Sequence, residues 1–160
     1  MAQRIVISTA LGRVVLILRA DVAPQTVAHF VRLAQSKALD GCNFYRSDSV
    51  IQFGLHGMEQ KSPFPPLAVN EAKASGHLSN TRGTLAIAHW NADCGDSDFF
   101  ISVAENKHLD TAYGGHCVFA AVALDDVESN EVVYEIAIAI NRGQGSSKQN
   151  TFRIDTVTIE

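Results

Sequence analysis

The chain has 160 residues, 46% hydrophobic and 19% charged, which suits a single globular domain over residues 1–160 and excludes an intrinsically disordered polymer. Thirteen Lys and Arg against seventeen Asp and Glu give a net charge of −4 with no basic run, so neither a nucleic-acid backbone nor an anionic membrane surface is an expected partner. The longest apolar runs, residues 14–18 and 118–124, fall far short of the ~20 residues that span a bilayer, and the first residues carry no secretory pattern, so a cytoplasmic address is expected.

In chain order, residues 5–8 and 14–18 are short β-branched runs joined through Ala10-Leu11-Gly12, which reads as a hairpin. The second run is apolar on both faces, so a helix should cover it. Pro24 suits a first helical turn, Val27, Phe30, Val31 and Ala34 form one apolar stripe, and Gly41 closes that helix. Strands are expected at residues 44–46, 50–53, 84–88, 99–103 and 117–123, with a Pro- and Gly-punctuated loop over 56–79. A second helix is expected over 131–140 with Val132, Ile136 and Ala139 on one face, then a polar loop over 143–150 and a last strand over 151–159. Roughly eight strands and two helices make the fold β-dominated, a closed or nearly closed antiparallel β-barrel with helices over its ends.

Generic chemistry is thin. Six histidines (His29, His56, His77, His89, His108, His116) never fall at zinc spacing, so no metal or other cofactor is expected. Asp93, Asp96 and Asp98 lack the glycine and closing glutamate of a calcium loop. Gly143-Gln144-Gly145 lacks the strand and the Lys-Ser/Thr pair of a phosphate loop. Cys42, Cys94 and Cys117 are odd in number with no C-x-x-C pair, so reduced thiols filling the core are expected.

A set of segments in order is more specific: Phe44-Tyr45-Arg46, Val50-Ile51-Gln52, Gly83-Thr84-Leu85-Ala86-Ile87-Ala88, Ser97-Asp98-Phe99-Phe100-Ile101, His108-Leu109-Asp110 and His116-Cys117-Val118-Phe119. Together with the opening hairpin, the Pro24 helix and Asn70-Glu71, they resemble the cyclophilin family of peptidyl-prolyl cis-trans isomerases over nearly the whole chain. The resemblance implies an eight-stranded antiparallel closed barrel capped by two helices, and an enzyme that rotates X-Pro bonds to assist protein folding. It implies proline-containing peptides and unfolded or flexible segments as partners. A monomer is expected, since a domain of this size needs no second copy for stability.

The same resemblance implies roles for individual residues. Arg46 would be the catalytic guanidinium, Gln52 its orienting partner, Phe100 the floor of the proline pocket, and His116 and Leu109 its flanks. Ala88 and His89 would offer backbone to the peptide. The departures bear on the same pocket. Ser49 stands where a pocket phenylalanine is expected and Val50 where a methionine is usual, which opens one wall. Asp98 in place of glutamine would put a negative charge on the binding face. His108 replaces a tryptophan whose indole donates to cyclosporin A, so weak cyclosporin binding is expected. The rival readings are a weakly active or inactive prolyl-peptide-binding module on the same fold and, from another class, a small-molecule carrier using the barrel interior. Bulky inward positions argue against the carrier.

Overall fold

The computed structural model describes residues 3–73, 78–90, 95–141 and 151–160. The β-branched and aromatic runs form β1 (Arg4–Thr9), β2 (Gly12–Leu18), β3 (Asn43–Ser47), β4 (Val50–Gly54), β5 (Thr84–Ile87), β6 (Asp98–Ser102), β7 (Val118–Val122), β8 (Phe152–Arg153) and β9 (Thr156–Ile159). Helix α1 (Pro24–Gln35) connects β2 to β3, and α2 (Val127–Asn141) follows β7.

All pairings are antiparallel, in the spatial order β8-β3-β4-β6-β5-β7-β2-β1-β9. This nine-stranded sheet with two edges corrects the closed eight-stranded barrel expected from the sequence. The cause lies in the last strand, which bends at Ile154 and Asp155. The Ile154 N–H donates to the Cys42 carbonyl and the Asp155 N–H to the Ser8 carbonyl, both at 2.8 Å. Residues before the bend therefore pair with β3 and residues after it with β1. The sheet curls until its two edges are joined by those two residues of chain instead of by a ladder.

Inside the curl, Phe44, Phe53, Phe99 and Phe119 from four strands meet Phe30 from α1. Their rings touch edge-on or tilted, with Phe30 and Phe99 at 4.8 Å and Phe44 and Phe53 at 5.1 Å. The interior is thus filled with aromatic side chains, as the bulky inward positions required. Helix α2 packs over β2, and its Val132, Ile136 and Ile140 join the same core.

Both helix starts depend on carboxylates outside the helix itself. Ala23 gives α1 no side-chain cap, and Glu71 supplies one from far along the chain. Its carboxylate accepts from the Thr26 N–H at 2.6 Å and the Thr26 hydroxyl at 2.7 Å. Helix α1 ends at Gln35, well before Gly41, which serves the following turn with φ +79°. Helix α2 begins at Val127, earlier than the expected residue 131, because the Asp126 carboxylate accepts from the Ser129 N–H at 2.9 Å. The apolar face of α2 includes Val133, Ala137 and Ile140, and Ala139 sits only half-buried at its edge.

Cys42 and Cys117 are buried free thiols within the core. Cys94, Asp93, His77 and the loop over 143–150 lie outside the described residues. Among the described residues no helix is long and apolar enough to cross a membrane.

Candidate active site

Side-chain alternation divides each central strand between two faces. In β6, Phe99 and Ile101 enter the main core, whereas Phe100 faces away from it and joins Val50, Ala86, Ala88 and Val118 in a second apolar cluster. Register aligns these outward residues in a row across the sheet. Arg46 opposes Gln52, Gln52 opposes Phe100, and Phe100 opposes Ala86.

A β-bulge in β3 makes that row possible. Phe44 pairs with Phe53 and Arg46 with Gln52, so Tyr45 is the extra residue. Without it Phe44 and Arg46, two positions apart, would share a face. The bulge lets Phe44 enter the core while Arg46 joins the outward row.

Above the row lies a cleft of about 510 Å³. Arg46, Gln52, Phe100 and His116 line it, as do Ser49, Val50, Ala88, His89, His108 and Leu109. The structure therefore gathers every residue singled out in the sequence except Asp98. Tyr45, His56, Trp90 and Tyr113 also line the cleft and carry no assignment from sequence. The signal for Tyr45 is its position beside Arg46 within a quoted segment. Of the other three, His56 and Tyr113 stand on short 3-10 turns and Trp90 in a bend, with no periodic pattern to mark them.

Asp98 corrects an expectation. It is 1% exposed, so its charge does not face a peptide. Gly54, opposite it in the register, has no side chain, and a Cβ there would collide with Asp98 Oδ1. The carboxylate fills that space and is roofed by Tyr45, whose ring packs on Gly57. Asp98 Oδ1 accepts the His56 backbone N–H at 2.8 Å and Oδ2 accepts the Tyr45 hydroxyl. Burial raises the Asp98 carboxyl above its ordinary range, opposed by these donors. Burial and the adjacent Asp98 raise the Tyr45 hydroxyl in turn.

From there hydrogen bonds lead back to the cleft. Gln52 Nε2 donates to Tyr45 Oη at 2.8 Å, and Arg46 Nη1 donates to Gln52 Oε1 at 3.1 Å. Arg46 Nε donates to Asp48 at 2.8 Å in a half-exposed ion pair. The short turn between β3 and β4 is tied down by Asp48, which accepts the Val50 N–H, and by Asn106, which donates to the Ser49 carbonyl at 2.9 Å.

At the far end His116 is buried, its ring 5.4 Å from Phe100 and 4.5 Å from His89. Its Nδ1–H donates to the Ile87 carbonyl at 3.2 Å, while His89 Nε2–H donates to the Gly115 carbonyl at 2.9 Å. His108 is exposed on a 3-10 turn, Lys107–Asp110, held by Asn80, whose backbone N–H and Nδ2 both donate to Asp110 Oδ1. Among the described residues no group of three His, Cys, Asp or Glu could hold a metal.

Burial, followed by the neighbouring His89, pushes the His116 imidazole down to about 4. Its unfolded value is near 6.5, so between those values the unfolded chain binds the extra proton and stability falls as pH falls. The full contribution, roughly 3 kcal/mol, is present above about pH 6.5 and lost by about pH 4. Asp98 works in the opposite sense, since a raised carboxyl takes up its proton first in the folded state. Denaturant melts from pH 7 to 4 should show a shallower stability slope for His116→Gln than for wild type. Equal slopes would rule His116 out as the source.

The family model described as cyclophilin type peptidyl-prolyl cis-trans isomerase/CLD matches residues 4–159. The chain belongs to this isomerase family. A peptidyl-prolyl cis-trans isomerase of Streptomyces antibioticus is 35% identical, the alignment covering 96% of this chain and 93% of that one. Peptidyl-prolyl cis-trans isomerase B of Escherichia coli is 32% identical over 86% of this chain and 85% of its own. The solved cyclophilin-type isomerase of Cryptosporidium parvum shares the fold at 20% identity, with a TM-score of 0.79 and coverage of 100% and 98%. The same protein solved in the presence of the dipeptide Ala-Pro gives 0.76, with 98% of each chain covered. Cyclophilin-type architecture is therefore shared well beyond the range of close sequence similarity.

Proposed function

We propose that the cleft over the Arg46–Gln52–Phe100 row catalyses cis-trans isomerisation of X-Pro bonds in flexible or unfolded segments, the chain acting as one folding-assisting domain. The observation that carries this is the convergence of a guanidinium, its amide partner and an apolar floor in one cleft. An X-Pro amide resists rotation with a barrier of about 18–20 kcal/mol, and no bond need break to lower it. A site has only to bind the twisted amide better than either planar form. Phe100, Val50 and Leu109 supply apolar contact for the pyrrolidine ring. Arg46 spends Nε on Asp48 and one Nη1 proton on Gln52, which leaves its outer donors to the prolyl amide as conjugation is lost. His116 stays neutral at physiological pH and packs as a wall of the pocket.

Peptide backbone would lie along residues 88–90. The Ala88 N–H already donates to the Asp98 carbonyl at 2.9 Å, so pairing would use the other polar groups of that stretch. The weaker reading, a prolyl-peptide-binding module with little turnover, is favoured by one feature, the short Ser49 wall where a bulky side chain would press the proline. Exchange NMR on a short Ala-Pro peptide decides between them. Accelerated exchange at substoichiometric protein supports the enzyme, and peptide shifts without accelerated exchange support the module.

His108 is exposed at the cleft rim, where its ring offers a shorter and differently placed donor than an indole. Cyclosporin A should bind weakly and gain affinity at least tenfold in His108→Trp, measured by titration calorimetry. Equal tight binding by both proteins would sink this. A cytosolic monomer is part of this proposal; Cys42 and Cys117 are free thiols kept unreactive by burial, which pushes their pKa values up to about 11.

A further inference from the structure

Granting that Arg46 acts on the twisting amide, we propose that Tyr45 and Asp98 are positioning residues: the buried Asp98 carboxylate sets the donor direction of the hydrogen-bond chain that presents Arg46 to the substrate. The starting point is Gln52. Its amide is nearly isosteric about its two ends, one an acceptor and the other a donor, and only the oxygen is of use facing a guanidinium. The oxygen does face Arg46, at 3.1 Å from Nη1. Sterics alone do not choose that orientation.

The guanidinium, which only donates, favours it from one end, and Tyr45 with Asp98 fixes it from the other. Gln52 Nε2 meets Tyr45 Oη at 2.8 Å, and a phenol oxygen can either donate or accept. Tyr45 has one proton, and the Asp98 carboxylate beyond it only accepts, so the proton goes to Asp98. Tyr45 Oη is left as an acceptor for Gln52, and the amide oxygen is turned to Arg46. Every donor from Arg46 to Asp98 then meets an acceptor, with a cation at one end and an anion at the other. Asp98 Oδ1 is held separately by the His56 N–H, which leaves Oδ2 for this purpose. Asp98 does not line the cleft, so its influence on the substrate must pass through these side chains.

A neutral amide in place of the carboxylate removes the constraint. In Asp98→Asn the new side-chain amide can donate to Tyr45, Tyr45 can then donate to Gln52 Oε1, and the Gln52 amino group is left facing the guanidinium. Arg46 would retain only its half-exposed pair with Asp48. The apolar pocket at Phe100 would be unchanged.

The test is a mutant cycle on an Ala-Pro peptide. Asp98→Asn and Tyr45→Phe should each lower kcat about tenfold with KM within about twofold, because positioning is lost and binding is not. In the Arg46→Ala protein, Asp98→Asn should change kcat less than twofold. An equal fall in both backgrounds would assign Asp98 to general packing and overturn the proposal. If Asp98→Asn fails to fold, Tyr45→Phe, which leaves the His56 bond in place, carries the same cycle. A nuclear Overhauser contact from the Gln52 side-chain amino protons to the Tyr45 ring reads the chain without turnover. It should be present in wild type and lost in Asp98→Asn, and its retention in that variant would refute the direction argued here. Wild type showing the contact but no isomerisation would leave the chain standing and refute the enzyme reading.

Discussion

Replacing Arg46 with alanine is expected to lower kcat/KM for a short Ala-Pro peptide by roughly a hundredfold, about 2.7 kcal/mol of lost transition-state stabilisation. On the proposed mechanism the guanidinium serves the reaction only as the amide twists, so the loss should fall on kcat. Phe100, Leu109 and His116 still line the cleft in this variant, so KM should stay within a few-fold. Trp90, the chain's single tryptophan, lines the cleft at 54% exposure and reports peptide affinity by its fluorescence. The variant should fold normally, because Arg46 and Asp48 are both about half-exposed and such pairs contribute little to stability. Arg46→Lys should recover only a minor share, since one ammonium cannot reproduce the planar fork that bridges Asp48, Gln52 and a prolyl amide. Arg46→Ala with more than half the wild-type kcat would remove the guanidinium from the mechanism.

The largest loss of stability is expected at Gly54. Its φ is +144°, and a Cβ would collide with the Ser97 carbonyl oxygen and lie 2.6 Å from the Asp98 Cα. Both contacts are with backbone, so rotation of a side chain cannot relieve them. Gly54→Ala must either part β4 from β6 or push Asp98 out of its site, at a cost of about 4 kcal/mol. For a domain of this length that lowers the thermal midpoint by roughly 10 °C or more. Calorimetry showing a midpoint within 3 °C of wild type would mean the ladder yields more easily than its geometry allows. Gly57→Ala is the useful comparison, since its clash is with the Tyr45 ring, which can move.

Much of the scaffold is legible in the sequence because the central strands are continuous apolar runs, buried on both faces, in which successive residues face opposite sides. Phe99 and Phe100 illustrate it: adjacent positions, opposite faces, one in the core and one under the cleft. The same rule fails at Phe44 and Arg46, which are two apart yet need opposite faces, and only an extra residue in β3 reconciles them. Asp98 escapes it for a related reason, since alternation gives a face but not what roofs it, and the roof comes from Tyr45 and residues 56–58. The early start of α2 is written in Asp126 and Ser129, a capping pair masked by weak apolar periodicity around it. The Glu71 cap on α1 is not legible at all, because it joins segments that only the folded chain brings together.

The bend at Ile154 and Asp155 also governs when the molecule can be finished. Strand β1 finds its outer neighbour in β9 and β3 finds its own in β8, so until residues 152–159 have left the ribosome both margins of the growing sheet are bare. Ile5 and Ile7, fully buried in the finished protein, then sit in a strand whose amides and carbonyls invite any passing chain. Contacts spanning nearly the whole sequence are slow to form. This prolyl isomerase family member is, during its own synthesis, a nascent chain exposed to aggregation until β8 and β9 emerge.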